Sequence, residues 1–63
     1  MQNRFAEARK RAGLTQKSVA QKLGKTQGAV SNWEKGRWTP TIKDVWKLAQ
    51  LYGCSMDDLI NVE

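Results

Sequence analysis

The sequence has no histidine, one cysteine and one proline, and its six acidic residues are outnumbered by eleven basic ones. With no histidine and with Cys54 alone, no metal-ligand cluster can be assembled and no disulfide can close within one chain. The apolar runs are all short, so no segment is long enough to span a membrane. Residues 1 to 12 alternate charged and apolar side chains, which is not the pattern of a signal peptide. Alternating β-branched runs are missing as well, so no strand is expected. Sixty-three residues make one domain, residues 1–63. A chain of this length buries only about 60% of its unfolded surface, which leaves no room for a deep catalytic cleft. The expectation is a non-enzymatic protein of the reducing cytoplasm, without cofactor, metal or small-molecule substrate.

What the sequence does have is positive charge, and it is placed unevenly. Residues 1–43 carry ten basic groups against Glu7 and Glu34, which leaves +8; residues 44–63 carry Lys47 against Asp44, Asp57, Asp58 and Glu63, which leaves −3. A one-sided basic field steers a polyanion, either nucleic acid or an anionic membrane surface.

The punctuation is helical throughout, and five helices are expected. The first spans Asn3 to Ala12, with Phe5, Ala8 and Ala12 on one face and Gly13 as its stop. The second opens at Thr15, a good N-cap, carries Val19, Ala20 and Leu23 at helical spacing, and ends at Gly24. The third opens at Thr26 and ends at Gly36. Only Gly24, Lys25 and Thr26 separate these two, and small Ala20 permits their close approach, which is helix-turn-helix geometry. In the loop that follows, Pro40 biases Thr39 away from helix. Thr41 caps the fourth helix, with Asp44 completing a capping-box spacing. Ile42, Val45, Leu48, Ala49 and Tyr52 form its apolar stripe, and Gly53 ends it. Ser55 caps a short fifth helix with Asp58 at the same spacing and Met56, Leu59 and Ile60 apolar. A membrane-surface peptide does not fit, because the stripes are core-sized and each helix is capped.

The third helix poses the functional question. In "KTQGAVSNWEKG", Val30 and Trp33 suit a core, whereas Gln27, Gly28, Ser31 and Asn32 share the opposite side. The wider run "TQKSVAQKLGKTQGAVSNWEKG" closely resembles the lambda-repressor-like, or Cro-like, helix-turn-helix family. "ARKRAGLTQ" resembles that family's first helix and the entry to its second, "WEKGRWTPT" the close of its third, and "LAQLYGCSMDDLI" its fourth and fifth. Counted from Gln16, the small Ala20 is fifth and the turn Gly24 ninth, with Val19, Leu23, Val30 and Trp33 in the apolar places. Two positions depart from the pattern. Lys25 replaces a usually apolar residue, and Gly28 stands where relatives often carry a base-reading side chain.

The resemblance implies an all-α, five-helix fold that lays its third helix in the major groove of double-stranded DNA. It places Gln27, Gly28 and Asn32 toward the bases, with Ser31 beside them. Gln and Asn amides can pair bidentately with adenine, for roughly 1–3 kcal/mol of discrimination each. Gly28 offers no reading group but permits close approach of the backbone. Phosphate contacts are expected from Gln16 and Lys17 at the start of the second helix, from Thr26, Lys35 and Arg37 flanking the third, and from Thr41 to Lys43. By resemblance Gln16 also braces Gln27, and Arg9 pairs with Glu34 to tie the first helix to the third. Trp33 is expected to be buried, Trp46 half exposed and Cys54 in place of an aliphatic core residue. Trp38 either donates its indole N–H to a phosphate or covers the Pro40 loop.

The function implied is a sequence-specific transcriptional regulator, most simply a phage or prophage-type repressor on a palindromic operator. It would be a homodimer on DNA, weakly associated or monomeric when free. The alternative is an antitoxin-like or protein-interaction module on the same fold. The bare Gly28 speaks for that alternative; a chain that stops three residues past Ile60 speaks against it.

Overall fold

The computed structural model describes residues 2–61. Its elements run β1 (Gln2–Asn3), α1 (Phe5–Arg11), α2 (Gln16–Leu23), α3 (Gln27–Glu34), α4 (Ile42–Tyr52), α5 (Met56–Leu59) and β2 (Ile60–Asn61). The five expected helices are present, and each of the last four starts on a side-chain cap. Thr15, Thr41 and Ser55 each accept from the backbone N–H three residues on, and Ser18, Asp44 and Asp58 return the bond, so three reciprocal capping boxes form. Thr26 Oγ1 accepts from the Ala29 N–H at 3.1 Å. Caps of this kind satisfy donors that a helix start leaves orphaned, each for about 1 kcal/mol.

The core joins all five helices. Phe5 from α1, Val19 and Leu23 from α2, Val30 and Trp33 from α3, Val45 and Leu48 from α4, and Leu59 from α5 are buried together. Ala20 and Ala49 fill the close approaches, and Leu14, Tyr52 and Cys54 pack against the edge of the cluster. Burial raises the Cys54 thiol above its ordinary pKa, which suits a packing residue better than a nucleophile.

Three local expectations are corrected. The first helix begins at Phe5 rather than Asn3, because Asn3 is drawn into a two-residue antiparallel pairing of the chain ends, Gln2 with Asn61 and Asn3 with Ile60. Asn3 also caps from outside: its Oδ1 accepts from the Phe5 N–H and its Nδ2 donates to the Trp33 carbonyl at 3.1 Å. A strand pair this short carries no periodic signal, so it escapes a sequence reading. Ile42 is not in the core stripe but 79% exposed, although Asp44 and Val45 in the same first turn of α4 are buried; its side chain lies instead along an open groove with Pro40, Met56 and Ile60. Ala12 is exposed at the C-cap of α1 instead of lining its buried face.

Candidate nucleic-acid interface

The α2–turn–α3 unit is set by Gly24, whose φ of +70° lies in the left-handed region that glycine enters without strain. The Lys25 N–H returns to the Ala20 carbonyl at 2.9 Å and closes the turn. Lys25 itself, the departure from the family pattern, reaches forward to Asp44, with Nζ 4.0 Å from Oδ1. Asp44 is buried and caps α4, so this lysine leans on the turn's own neighbour.

Helix α3 has two unlike faces. Val30 and Trp33 anchor it in the core, while Gln27 and Gly28 are exposed and Ser31 and Asn32 half-buried. These are the four residues the sequence groups together. The Asn32 Nδ2 donates to the Gly28 carbonyl at 2.8 Å. An amide nitrogen has two N–H groups, so the second, together with Oδ1, remains for a bidentate partner. The Asn32 carbonyl in turn accepts from the Arg37 and Trp38 N–H groups, which folds the following loop back onto α3. Gly28 is helical without positive φ, and a Cβ placed there would meet only Thr26 Oγ1, at 3.9 Å. Nothing inside the protein therefore requires glycine at this position.

The expected phosphate ligands sit at the helix starts and in the loop after α3. Lys17, Thr26, Lys35, Arg37, Thr41 and Lys43 are all exposed, and Gln16 is half-buried. The backbone N–H groups of Gln16 and Lys17 precede the first helical bond of α2 and have no partner among the described residues. Free N–H groups at a helix start favour an anion. Trp38 is 55% exposed and shares a hollow of ≈ 80 Å³ with Thr39, Pro40 and Trp33. Trp46 is half exposed, as expected, at 51%.

Behind this surface lies an ion-paired hub. Arg9 Nε donates to Glu34 Oε2 at 2.7 Å, Nη2 to Oε1 at 3.2 Å, and Nη1 to the Leu14 carbonyl at 3.0 Å. The two side chains are only 12% and 7% exposed. The hydrogen bond to Glu34 raises the Arg9 pKa above its ordinary value, against the opposing effect of burial. Gln16 departs from expectation. Its Nε2 donates to Glu34 Oε1 at 2.9 Å, and it makes no hydrogen bond to Gln27 among the described residues. The charged oxygen Oε1 of Glu34 takes the Gln16 N–H in place of the neutral amide of the exposed Gln27. This link, spanning eighteen residues, has no local sequence signal. Beside the hub, burial pushes the Tyr52 hydroxyl up to about 12, and the hydroxyl has no hydrogen-bond partner among the described residues.

Residues 5–59 of this chain match the helix-turn-helix family. The chain belongs to the helix-turn-helix family. Among curated helix-turn-helix proteins, it is 32% identical to an uncharacterised HTH-type transcriptional regulator of Methanocaldococcus jannaschii, over 100% of this chain and 96% of that protein. It is 39% identical to an uncharacterised HTH-type transcriptional regulator of Sinorhizobium fredii, over 89% of this chain and 73% of the other. It is 40% identical to the HTH-type transcriptional regulator ImmR of Bacillus subtilis, over 90% of this chain but 45% of that longer protein. In helix-turn-helix terms α2 and α3 are the paired helices, and no helix among the described residues is long and apolar enough to cross a membrane.

Proposed function

We propose that this chain is a sequence-specific, double-stranded DNA-binding transcriptional regulator, of the phage or prophage repressor type, that occupies a palindromic operator as a dimer in the cytoplasm. The observation that carries the reading is α3 itself. Its inner face is locked by Val30 and Trp33, its N-terminus is capped by Thr26, and its outer face offers the amides of Gln27 and Asn32 beside a bare Gly28. Gln27, Ser31 and Asn32 face base edges, and Gly28 lets the helix backbone come close. Gln16, Lys17, Thr26, Lys35, Arg37, Thr41 and Lys43 contact phosphates. Arg9 and Glu34 brace the frame and do not touch DNA.

The dimer reading draws on the exposed Ile42, which lies with Pro40, Met56 and Ile60 around one open groove between α4 and α5. That is a small apolar area, and a small interface gives modest affinity. Sedimentation at low micromolar concentration is therefore expected to read mostly monomer without DNA and dimer on a two-half-site duplex. A tight dimer in the absence of DNA refutes the weak-interface argument.

The function is tested by selecting from a random duplex library and titrating the winner against salt. With about four phosphates neutralised per protomer, a dimer gives a slope of log K on log salt near −7. A slope shallower than about −2 removes phosphate clamping as the main source of affinity, and the absence of any enriched sequence removes DNA recognition as the function. The protein-interaction alternative rests on Gly28 and gains ground only in that case.

A further inference from the structure

The Arg9–Glu34 pair explains how α1 is tied to α3, but it does not explain the third group at the same carboxylate. Glu34 Oε1 accepts from Arg9 Nη2 at 3.2 Å and also from Gln16 Nε2 at 2.9 Å. Gln16 is the first residue of α2, directly after the Thr15 cap, where the Gln16 and Lys17 backbone N–H groups have no partner among the described residues. Arg9 Nη1 meanwhile holds the carbonyl of Leu14, two residues before Gln16. A carboxylate from the last turn of α3 and a guanidinium from α1 thus fix the entry to α2 on both sides.

A primary amide has two N–H groups and an acceptor oxygen. Glu34 takes one N–H of Gln16. The other N–H belongs to a side chain whose rotamer is already chosen, on a half-buried residue at an anion-favouring helix start. A long side chain held in one rotamer loses no further freedom when its partner arrives. Arg9 also neutralises the Glu34 charge, so the carboxylate can stand behind the amide without repelling a phosphate in front of it.

We propose that Glu34 is a positioning residue for DNA binding: through Gln16 Nε2 it aims the remaining amide N–H of Gln16 at a backbone phosphate and keeps that amide in place when DNA binds. The inference rests on the DNA-binding reading above. It assigns Glu34 a part in affinity that is separate from its part in holding α1 to α3.

The test is a double-mutant cycle on the selected duplex, using Gln16→Ala, Glu34→Gln and the double variant, at a temperature where melting curves show all four proteins folded. Gln16→Ala is expected to weaken binding roughly tenfold, as loss of a hydrogen bond to a charged group does. Its salt slope stays that of the parent, because a neutral amide displaces no counterion. Glu34→Gln is expected to weaken binding to a similar extent, and the double variant no further than about twofold beyond the weaker single. Losses that multiply in the double variant overturn the proposal, because a merely structural Glu34 acts independently of Gln16. If Glu34→Gln does not fold, the wild-type protein decides by its Gln16 side-chain amide resonances. One of the two protons moving on DNA addition supports retention on Glu34; both moving equally overturns it. A wild type that binds no duplex removes the DNA-binding reading and this inference together, whereas multiplying losses remove the inference alone.

Discussion

Gly28→Ala separates what the protein needs from what its partner needs. The residue is helical, its φ is not positive, and an added Cβ would have only Thr26 Oγ1 within 4 Å, at 3.9 Å, an ordinary contact. The Asn32 bond uses the Gly28 carbonyl, which alanine retains, and the Thr26 Oγ1 cap on the Ala29 N–H involves no atom of residue 28. No steric cost therefore opposes the gain from restricting the unfolded chain, which is about 0.4–1 kcal/mol for glycine to alanine at a compatible site. Glycine's helix propensity gives a similar upper figure, about 1 kcal/mol, reduced here because position 28 lies in the first turn. For a domain of this size the gain corresponds to a rise in melting temperature of roughly 2–8 °C. If α3 comes close to a duplex at Gly28, the same methyl group lies in the contact and the affinity for the selected site falls. Calorimetric melting and fluorescence anisotropy on one preparation read both quantities. Stability up and affinity down together are the expected result. An unchanged or lower melting temperature refutes the claim that nothing inside the protein requires glycine. A raised melting temperature with unchanged affinity refutes close approach at this point.

Glu34→Ala strands the guanidinium of Arg9 in a site where the pair is 12% and 7% exposed, and is expected to cost about 3–5 kcal/mol; a wild-type melting temperature would show that the pair contributes nothing. Tyr52 gives a pH signature. Its folded pKa, raised to about 12 by burial and then by the Glu34 charge, lies above its ordinary value of 10.0, so its contribution is fully present below pH 10 and lost as pH rises through about 12. Tyr52→Phe is expected to flatten urea midpoints across that window and to cost little at neutral pH, since the hydroxyl has no partner among the described residues; an unchanged alkaline slope counts against this. Gln27→Ala and Asn32→Ala are each expected to relax base preference at one or two positions per half-site in a binding selection, whereas Arg37→Ala weakens all sequences about equally. Unaltered preferences in both amide variants would mean that α3 is not the reader.

The legible parts of this fold were those written locally. Thr15, Thr26, Thr41 and Ser55 announce helix starts because a cap acts over three residues, and all four accept the expected bond. The two faces of α3 follow from a 3.6-residue period, and Trp33 is buried where that period puts it. The illegible parts are long-range. The pairing of Asn3 with Ile60 depends on where the core delivers the two chain ends. Lys25 and Asp44 meet because α4 starts beside the turn, which no spacing rule encodes. Ile42 was misplaced for the opposite reason. Its spacing fits the stripe, but periodicity does not register which residues of a face meet the core: Ile42 is exposed while Val45, three residues on, is buried.

The hub shows why an acidic residue is tolerated within the basic half of the chain. Glu34 occupies the last turn of α3, at the negative end of the helix dipole, with no basic residue in that turn to offset it. Alone, a carboxylate there would be disfavoured by burial and by the dipole, and would repel any phosphate approaching the helix. The forked guanidinium of Arg9 removes all three objections at once, which an ammonium could not do with the same geometry. Once neutralised, the carboxylate becomes a fixed acceptor at the junction of α1, α2 and α3. The Gln16 amide is what occupies its remaining capacity. The charge that is least suited to a DNA-facing domain is thus placed where it can orient a neutral donor, while Lys35 and Arg37, just past the end of α3, stay exposed and keep the outer surface positive.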